Sequence, residues 1–354
     1  MAVVLQHFSV TAGYATSVWI PSLVPHGYMA VDFFFVLSGF IMAYTYLHTF
    51  ETKGLAAYGP FLLKRVARIF PLGIAVTTII VCCGLFAGLW NHATMFIPSN
   101  ALNDNLITYV IINLAHLQGF LPQYNLNGPS GSISLEFAAY VLMPLLFIGC
   151  FHKSRLVALL MTVTSIGVLG WINFFVQDGL SSRFVLSDIG RVLAEFSLGL
   201  MVYRVYQKPS FLQSLGKDHW TWAVTALVIA TSTLRSDLST ALVCPLLVLT
   251  YSLNIGLPKR IMSMKIPYFL GTISFSIYLI HNLLRDPAYE LLRTLHPMPL
   301  SFSQALVFAF GCSIAVIPFA AASYFLVEKP GRTAFNRLFQ KVRQRWSRLA
   351  IFAD

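Results

Sequence analysis

Six ionisable side chains lie inside long apolar runs of this sequence, and they are the first candidates for chemistry. They are His7, Asp32, Glu136, Arg191, Glu195 and His281. A charged group at the centre of a membrane helix costs about 2.5–3.5 kcal/mol on insertion scales, so each of them needs a reason. Imidazole is the side chain best matched to proton transfer near neutral pH, which makes His7 a candidate general base. A histidine satisfied within the core is the alternative.

The other five groups also have structural explanations. Arg191 and Glu195 are four residues apart, share a helix face and can neutralise each other as an ion pair. His281 lies near the end of its run, in "SFSIYLIH", and fits an interfacial histidine that caps a helix. Asp32 and Glu136 lie at the outer ends of their runs, where a carboxylate can stay hydrated. Asp32 can then either hold a polar substrate or brace the first two helices.

Three cations occupy about one helical turn of "FLLKRVARIFPL", residues 61–72. They are Lys64, Arg65 and Arg68, and the two arginines are three residues apart and point the same way. The planar guanidinium group is well suited to a forked grip on phosphates. Ordinary anchoring at a membrane surface explains the cluster equally well.

The elements that carry these residues are apolar helices. The chain has 354 residues, of which 57% are hydrophobic and 10% charged, and its mean hydropathy is +0.71. Soluble domains carry about 25% charged residues, so the composition predicts an all-α, polytopic integral membrane bundle of about ten transmembrane helices. The spans are expected at 1–20, 28–47, 70–90, 132–151, 155–176, 185–206, 219–233, 239–256, 268–284 and 302–327. The five cysteines lie inside apolar runs without metal-type spacing, so neither a metal site nor a disulfide framework is expected.

The basic residues predict the orientation of these spans. If the short apolar segment 106–121 does not cross, most of the 24 Lys and Arg residues fall on one side, which the positive-inside rule assigns to the cytoplasm. Both termini are then cytoplasmic, and 91–131 is an outer segment with a short non-crossing helix. The exceptions are Arg183, Arg235, Arg285 and Arg293, with Arg191 inside a span. This pattern also explains the net charge of +11 without a nucleic-acid partner.

The chain divides into a transmembrane domain, 1–330, and a basic tail, 331–354, which is predicted to lie along the anionic inner leaflet. The first span begins at Met1 with no basic residue ahead of it and no cleavage site. We therefore expect a chain truncated at its N-terminus, or a start codon placed late, rather than a signal peptide.

Six motifs follow one another along essentially the whole chain. They are "HGYMAVDFFFVLSGFIMAY" (26–44), "KRVARIFPL" (64–72), "NGPSGSISLEFAAYVLMP" (127–144), "RVLAEFSLG" (191–199), "LGTISFSIYLIH" (270–281) and "VEKP" (327–330). In this order they resemble acyltransferase family 3, the membrane-bound O-acyltransferases of bacterial surface polysaccharides and lipopolysaccharide.

The resemblance implies ten helices, a catalytic role for His7 and a match of Arg65 and Arg68 to the family's Arg-x-x-Arg. It implies an enzyme of the bacterial inner (plasma) membrane that transfers an acyl group from cytoplasmic acyl-CoA, with acetyl-CoA the expected co-substrate and no permanently bound cofactor. The acceptor is expected to be a hydroxyl of an exported or cell-surface carbohydrate or glycolipid.

The predicted site has two parts. The catalytic candidates are His7, Glu136 and Asp32, with the acceptor passing the two carboxylates, and the donor-binding candidates are Arg65, Arg68 and Lys64. His7 can act as a general base or accept the acyl group transiently, and an oxyanion donor is expected among Ser132, Ser134 and a backbone amide.

The sequence departs from the family's pattern at two places. An arginine about ten residues ahead of the histidine has no counterpart, and Gly131 stands where a tryptophan is usual. The missing arginine keeps open a catalytically inactive homologue that acts as a binding subunit. Ten helices with buried charges also fit a transporter or flippase of a glycan or lipid intermediate. Transporter folds often contain internal repeats, and none is visible in this sequence.

Overall fold

Helices make up nearly all of the described chain in this computed structural model, and no strand occurs among the described residues. These are 1–11, 27–89, 96–103, 105–177, 179–181, 184–208, 212–234, 236–295 and 301–351, with side chains described except at 11, 181 and 342–351. The second half of the predicted first span, and both Arg183 and Arg235, lie outside these ranges. The prediction of an all-α fold is confirmed.

The helices follow the apolar runs of the sequence. In chain order they are α1 (Ala2–Thr11), α2 (Met29–Lys53), α3 (Tyr58–Gly88), α4 (Ser99–Asn103), α5 (Leu106–Leu114), α6 (Ser130–Val141), α7 (Met143–Cys150), α8 (Arg155–Phe175), α9 (Val185–Tyr206), α10 (Asp218–Thr233), α11 (Asp237–Leu253), α12 (Leu257–Met262), α13 (Lys265–Thr272), α14 (Ser274–Leu295), α15 (Phe302–Ser323) and α16 (Lys329–Ile351). A π-helical turn, Tyr324–Glu328, joins α15 to α16.

Two predicted spans are broken in the structure. The span expected at 132–151 consists of α6 and α7, which are bent by 63°. Pro144 lies at the first positions of α7, where it cannot continue the hydrogen-bond ladder of α6. The span expected at 268–284 is divided between α13 and α14 at Ile273.

The segment 106–121 forms only the nine-residue helix α5. A helix of that length extends about 14 Å, less than half the thickness of a hydrocarbon core. Asn105 caps its start by accepting hydrogen bonds from the backbone N–H groups of Ile107 and Thr108. The sequence prediction of a short, non-crossing helix agrees with this length.

Among the described residues, three helical stretches are long and apolar enough to cross a membrane: Met29–Gly88, Arg155–Phe175 and Phe302–Lys341. The number is four if the bent pair α6 and α7 counts as one span. The first stretch has 60 residues, which would extend about 90 Å as one straight rod. The ring centroids of Tyr46 and Phe61 are nevertheless only 5.0 Å apart. The chain therefore reverses between α2 and α3, where Gly54 adopts φ 55°. The ten crossings predicted from the sequence exceed what these criteria identify.

Close backbone contact joins α2 to α9. A Cβ added at Gly39 would lie 2.0 Å from the carbonyl oxygen of Phe196, and one added at Gly199 would lie 2.0 Å from that of Val36. Small residues at a crossing let two apolar helices approach until their backbones touch. The two glycines thereby bring the inward faces of α2 and α9 within reach of each other's side chains.

The short helix α1 packs against α14 and α15. Val4 and Phe8 are buried in a cluster with Ile277, Val316 and Ala320. His7 belongs to the same helix, so this apolar contact fixes where its ring lies.

Candidate functional site

Two neighbouring cavities hold most of the predicted site residues. The first, which we call the histidine cavity, has a volume of about 840 Å³ and is lined by His7 and Arg191. The second, the arginine cavity, has a volume of about 700 Å³ and is lined by Arg65, Arg68 and Glu136. Both volumes are in the range of small-molecule sites.

His7 contacts a second histidine at the wall of the histidine cavity. Nδ1 of His7 is 3.0 Å from Nε2 of His281, and the ring centroids are 5.0 Å apart. His281 lies on α14 and is 0% exposed, and its Nδ1 is 3.2 Å from the carbonyl oxygen of Ile277. The interpretation of His281 as a histidine that caps its helix is wrong, because α14 continues to Leu295. Sequence reasoning missed its contact with His7, because 274 positions separate the two residues.

Aromatic rings surround the two arginines of the arginine cavity. Nη2 of Arg65 donates to the hydroxyl of Tyr46 at 2.9 Å, and the guanidinium lies 5.4 Å from the ring of Tyr46 and 5.8 Å from that of Tyr140. Arg68 lies 5.1 Å from the ring of Phe275. Cation–π contacts of this kind hold a guanidinium in place while leaving its N–H groups as donors. Lys64 is exposed and does not line either cavity, with its ammonium 5.7 Å from the Tyr46 ring.

Arg68 also has a carboxylate partner that the sequence did not reveal. Its Nη1 forms an ion pair with Oε1 of Glu328, whose Oε2 accepts a hydrogen bond from Ser276 at 2.6 Å. Glu328 is buried and ends the π-helical turn, a rare conformation that often occurs at functional sites. The available signal was an acidic residue in "VEKP", directly after the apolar run 302–327.

Glu136 lines the arginine cavity and not the histidine cavity. Its Oε1 accepts hydrogen bonds from the hydroxyls of Ser38 and Tyr140, the second at 2.5 Å. The sequence analysis placed Glu136 on the acceptor's path together with Asp32. The structure instead groups it with Arg65 and Arg68 of α3, because α6 packs against α3.

Asp32 lies in a buried ionic cluster and lines neither cavity. Its Oδ1 accepts from Nε of Arg191 at 2.6 Å and from Nη2 at 2.5 Å, and Nη1 of Arg191 donates to the carbonyl oxygen of Leu180 at 2.6 Å. Glu195 is 3.6 Å from the same guanidinium. Of the two roles considered for Asp32, bracing fits the geometry, although it connects α2 to α9 rather than the first two helices.

The two cavities meet at a shared wall. Five residues line both of them: Val3, Val31, Phe35, Ser132 and Tyr278. Ser132 and Tyr278 are the two of these that carry a hydroxyl group. Ser134, the other serine considered for an oxyanion, is buried and donates to the carbonyl oxygen of His116 at 2.5 Å. Ser132 is therefore the better placed of the two serines.

Amide side chains line the rest of the histidine cavity. Buried oxygens of Gln118 and Asn282, Oε1 and Oδ1 respectively, have no hydrogen-bond partner within the described protein. The Nε2 group of Gln118 donates to the carbonyl oxygen of Ser130 at 3.1 Å, which fixes the side chain. Buried polar atoms are nearly always paired, so these two oxygens need hydrogen-bond donors that the described protein does not supply.

An all-α fold with membrane-length apolar helices and two joined cavities defines a helical membrane protein with an internal site. The chain belongs to acyltransferase family 3, since the family model described as an acyltransferase domain matches residues 1–320. It is also similar to the acyltransferase MdmB of Streptomyces mycarofaciens, with 31% identity over 123 residues. That match covers 34% of this chain and 28% of the relative's length. A comparison with solved structures found no match.

Proposed function

We propose that this protein is a membrane-bound O-acyltransferase that moves an acyl group from cytoplasmic acyl-CoA to a hydroxyl of an exported or cell-surface carbohydrate. The observation that carries the proposal is the meeting of the arginine cavity and the histidine cavity at Ser132 and Tyr278. A donor thioester and an acceptor hydroxyl in separate cavities would meet at such a wall.

The donor fits the arginine cavity. The phosphates of acyl-CoA carry several negative charges, and Arg65 and Arg68 supply two guanidinium groups for them. The apolar remainder of the wall, including Phe33, Ile69 and Ile133, suits the pantetheine arm. Acetyl is the expected acyl group because of the family resemblance.

The acceptor fits the histidine cavity. Carbohydrates present many hydroxyl donors, and the buried oxygens of Gln118 and Asn282 are acceptors that need them. Asp188, Arg191 and Asp286 add charged groups to the same wall. An apolar lipid chain would leave the buried oxygens of Gln118 and Asn282 without a donor, at a cost of about 1–3 kcal/mol for each buried polar group.

The chemistry requires a base and an oxyanion donor. His7 would remove the proton from the acceptor hydroxyl as the oxygen attacks the thioester carbonyl carbon. A new C–O bond then forms, the C–S bond breaks, and the proton passes to the departing CoA sulfur. The hydroxyls of Ser132 and Tyr278 would donate to the developing oxyanion. A route through an acylated His7, in which the sulfur leaves before the acceptor attacks, uses the same residues.

The orientation in the membrane follows the charge pattern. We propose ten crossings in the bacterial inner membrane, with both termini cytoplasmic, which would give the arginine cavity access to acyl-CoA. Cysteines introduced at Asn100 and Gln123 should react with an impermeant thiol reagent added from outside, in a background without the five native cysteines. A cysteine at Lys153 should be protected. If the reagent labelled only one of the cysteines at Asn100 and Gln123, the two positions would lie on opposite sides of the membrane. The segment 106–121 would then cross, and the ten-crossing proposal would fail.

The decisive experiment follows an isotopically labelled acetyl group from acetyl-CoA into glycan in membranes that contain this protein. Transfer should occur with the native protein and with His48→Ala, which changes an exposed histidine of α2, and should be lost with His7→Ala. Transfer that survives His7→Ala in purified protein would remove His7 from the mechanism. Uptake of glycan across the membrane without acyl transfer would favour the transporter.

A further inference from the structure

We propose that His281 is a positioning residue that fixes the tautomer of His7, so that the lone pair of His7 is on Nε2. This inference rests on the proposed role of His7 as a general base, and it names the group that prepares that base. The two rings contact each other through Nδ1 of His7 and Nε2 of His281, 3.0 Å apart.

The backbone of α14 decides the direction of this hydrogen bond. Nδ1 of His281 is 3.2 Å from the carbonyl oxygen of Ile277, and a carbonyl oxygen can only accept. Nδ1 of His281 therefore carries a hydrogen, and in a neutral ring its Nε2 then carries the lone pair. That lone pair can accept only if His7 donates from Nδ1. A neutral His7 with its hydrogen on Nδ1 has its own lone pair on Nε2.

The other arrangements are less favourable. If His7 accepted at Nδ1, a neutral His281 would carry its hydrogen on Nε2, and its Nδ1 lone pair would face the lone pairs of the Ile277 carbonyl. A doubly protonated His281 would satisfy both contacts, but its ring is 0% exposed, and a buried charge without a paired counter-ion is costly. The chain of Ile277 carbonyl, His281 and His7 thus has one low-energy arrangement of hydrogens.

Apolar packing also holds this hydrogen-bonded chain of groups in place. Phe8, directly after His7, packs in the cluster that contains Ile277, one turn before His281. The same apolar contact therefore sets both ends of the hydrogen-bonded chain. His7 lines the histidine cavity, so a lone pair on Nε2 belongs to a ring that a ligand of the cavity can reach. A group that orients a catalytic imidazole through its other nitrogen is a recurrent device in enzymes.

The first test is ¹⁵N NMR of protein labelled at its nine histidines, without substrate, so that it does not depend on turnover. His7→Gln and His281→Gln assign the two rings by loss of signal. In the native protein, both rings should show a protonated Nδ1 and an unprotonated Nε2. In His281→Leu, which cannot accept a hydrogen bond, the His7 signals should move towards a mixture of tautomers. A native spectrum in which His7 carries its hydrogen on Nε2 would overturn the proposal, even if no variant folds.

The second test separates catalysis from binding. His281→Leu should lower kcat by about 100- to 10,000-fold, the range of general-base contributions, and should leave KM for acetyl-CoA unchanged. His281→Gln should restore most of the rate, because its amide oxygen can accept from Nδ1 of His7. Leu279→Val, a packing change on the same helix, should retain the native rate.

The possible outcomes distinguish the two proposals. Native tautomers without any acyl transfer would refute the enzyme while leaving the positioning of His7 intact. Acyl transfer with an equal kcat in native, His281→Leu and His281→Gln proteins would refute the positioning alone.

Discussion

Arg68 and Glu328 are ion-paired although 260 positions separate them, and the pair borders the cavity that would receive the phosphates of a donor. The arginine is 29% exposed, whereas the carboxylate is 1% exposed and also accepts from Ser276. The carboxylate of Glu328 thus occupies one donor face of Arg68. A phosphate would have to share this guanidinium or displace the carboxylate.

Replacement of Glu328 by glutamine is expected to tighten acyl-CoA binding. The amide keeps the shape and the hydrogen bond from Ser276, but it removes the negative charge that competes with phosphate for Arg68. We expect the dissociation constant, measured by titration calorimetry in detergent, to fall about 3- to 10-fold, or about 0.7–1.4 kcal/mol. Glu290→Gln, at an exposed pair with Arg293, is the matched control and should have no effect. Weaker binding in Glu328→Gln would show instead that the carboxylate holds Arg68 in a productive position.

Lysine at position 65 or 68 is expected to weaken acyl-CoA binding although the charge is kept. Arg65 lies 5.4 and 5.8 Å from the centroids of two tyrosine rings and donates to Tyr46 through one nitrogen, which leaves its other N–H groups for phosphate, and an ammonium group cannot reproduce this fork of donors. The expected loss in each variant is about 10- to 100-fold in affinity, since hydrogen bonds to charged groups contribute about 1.5–3 kcal/mol. Arg155→Lys, at the exposed start of α8, is the control. Unchanged binding in both variants would reduce the pair to anchoring at the membrane surface.

The sequence predicted those parts of the fold and site that depend on local pattern. Apolar runs gave the helices, and the polar residues of 106–121 indicated a short one. Spacing placed Arg65 and Arg68 on one face. The sequence could not predict contacts between distant segments. The pairing of His7 with His281 and the placement of Glu136 beside the arginines depend on how helices pack, and several packings suit the same apolar faces. For Asp32, a hydrated mouth and a buried ion pair are equally compatible with its place in the sequence.

Removal of the buried amide oxygens in the histidine cavity is expected to raise KM for the acceptor. Gln118→Leu and Asn282→Leu keep roughly the volume of each side chain but delete the oxygens that have no partner among the described residues. Each change should raise KM for the carbohydrate about 10-fold and leave KM for acetyl-CoA within twofold, because the donor lies in the other cavity. The measurement is initial-rate kinetics with each substrate varied in turn. A larger effect on acetyl-CoA than on the acceptor would contradict the assignment of the two cavities.

Alanine at Gly39 or Gly199 is expected to destabilise the crossing of α2 and α9. A Cβ at either position would meet a backbone carbonyl oxygen at 2.0 Å, and a helix backbone cannot move aside as a flexible side chain can. The helices must separate, at a cost of about 1–3 kcal/mol. Gly167→Ala and Gly170→Ala on α8 are the matched controls, because nothing lies within 4 Å of their added Cβ atoms. Thermal unfolding in detergent should show a lower melting temperature only for Gly39→Ala and Gly199→Ala. Equal melting temperatures for all four variants would refute the close crossing.

Removal of the guanidinium of Arg191 is expected to be more harmful than removal of either carboxylate beside it. Arg191→Met leaves Asp32 and Glu195 buried together without the cation that contacts both, and loss of one partner of a buried pair costs about 3–5 kcal/mol. Asp32→Asn should cost less, about 1–2 kcal/mol, because the amide oxygen still accepts from Arg191 and Glu195 still balances its charge. Arg293→Met, at a pair that is half exposed, should change stability by less than about 1 kcal/mol. Denaturant unfolding of each variant gives its free energy of unfolding and so ranks the three substitutions by the stability that they remove. If Asp32→Asn proved as harmful as Arg191→Met while also raising KM for the acceptor, Asp32 would have a role in substrate binding that its position in the cluster does not predict.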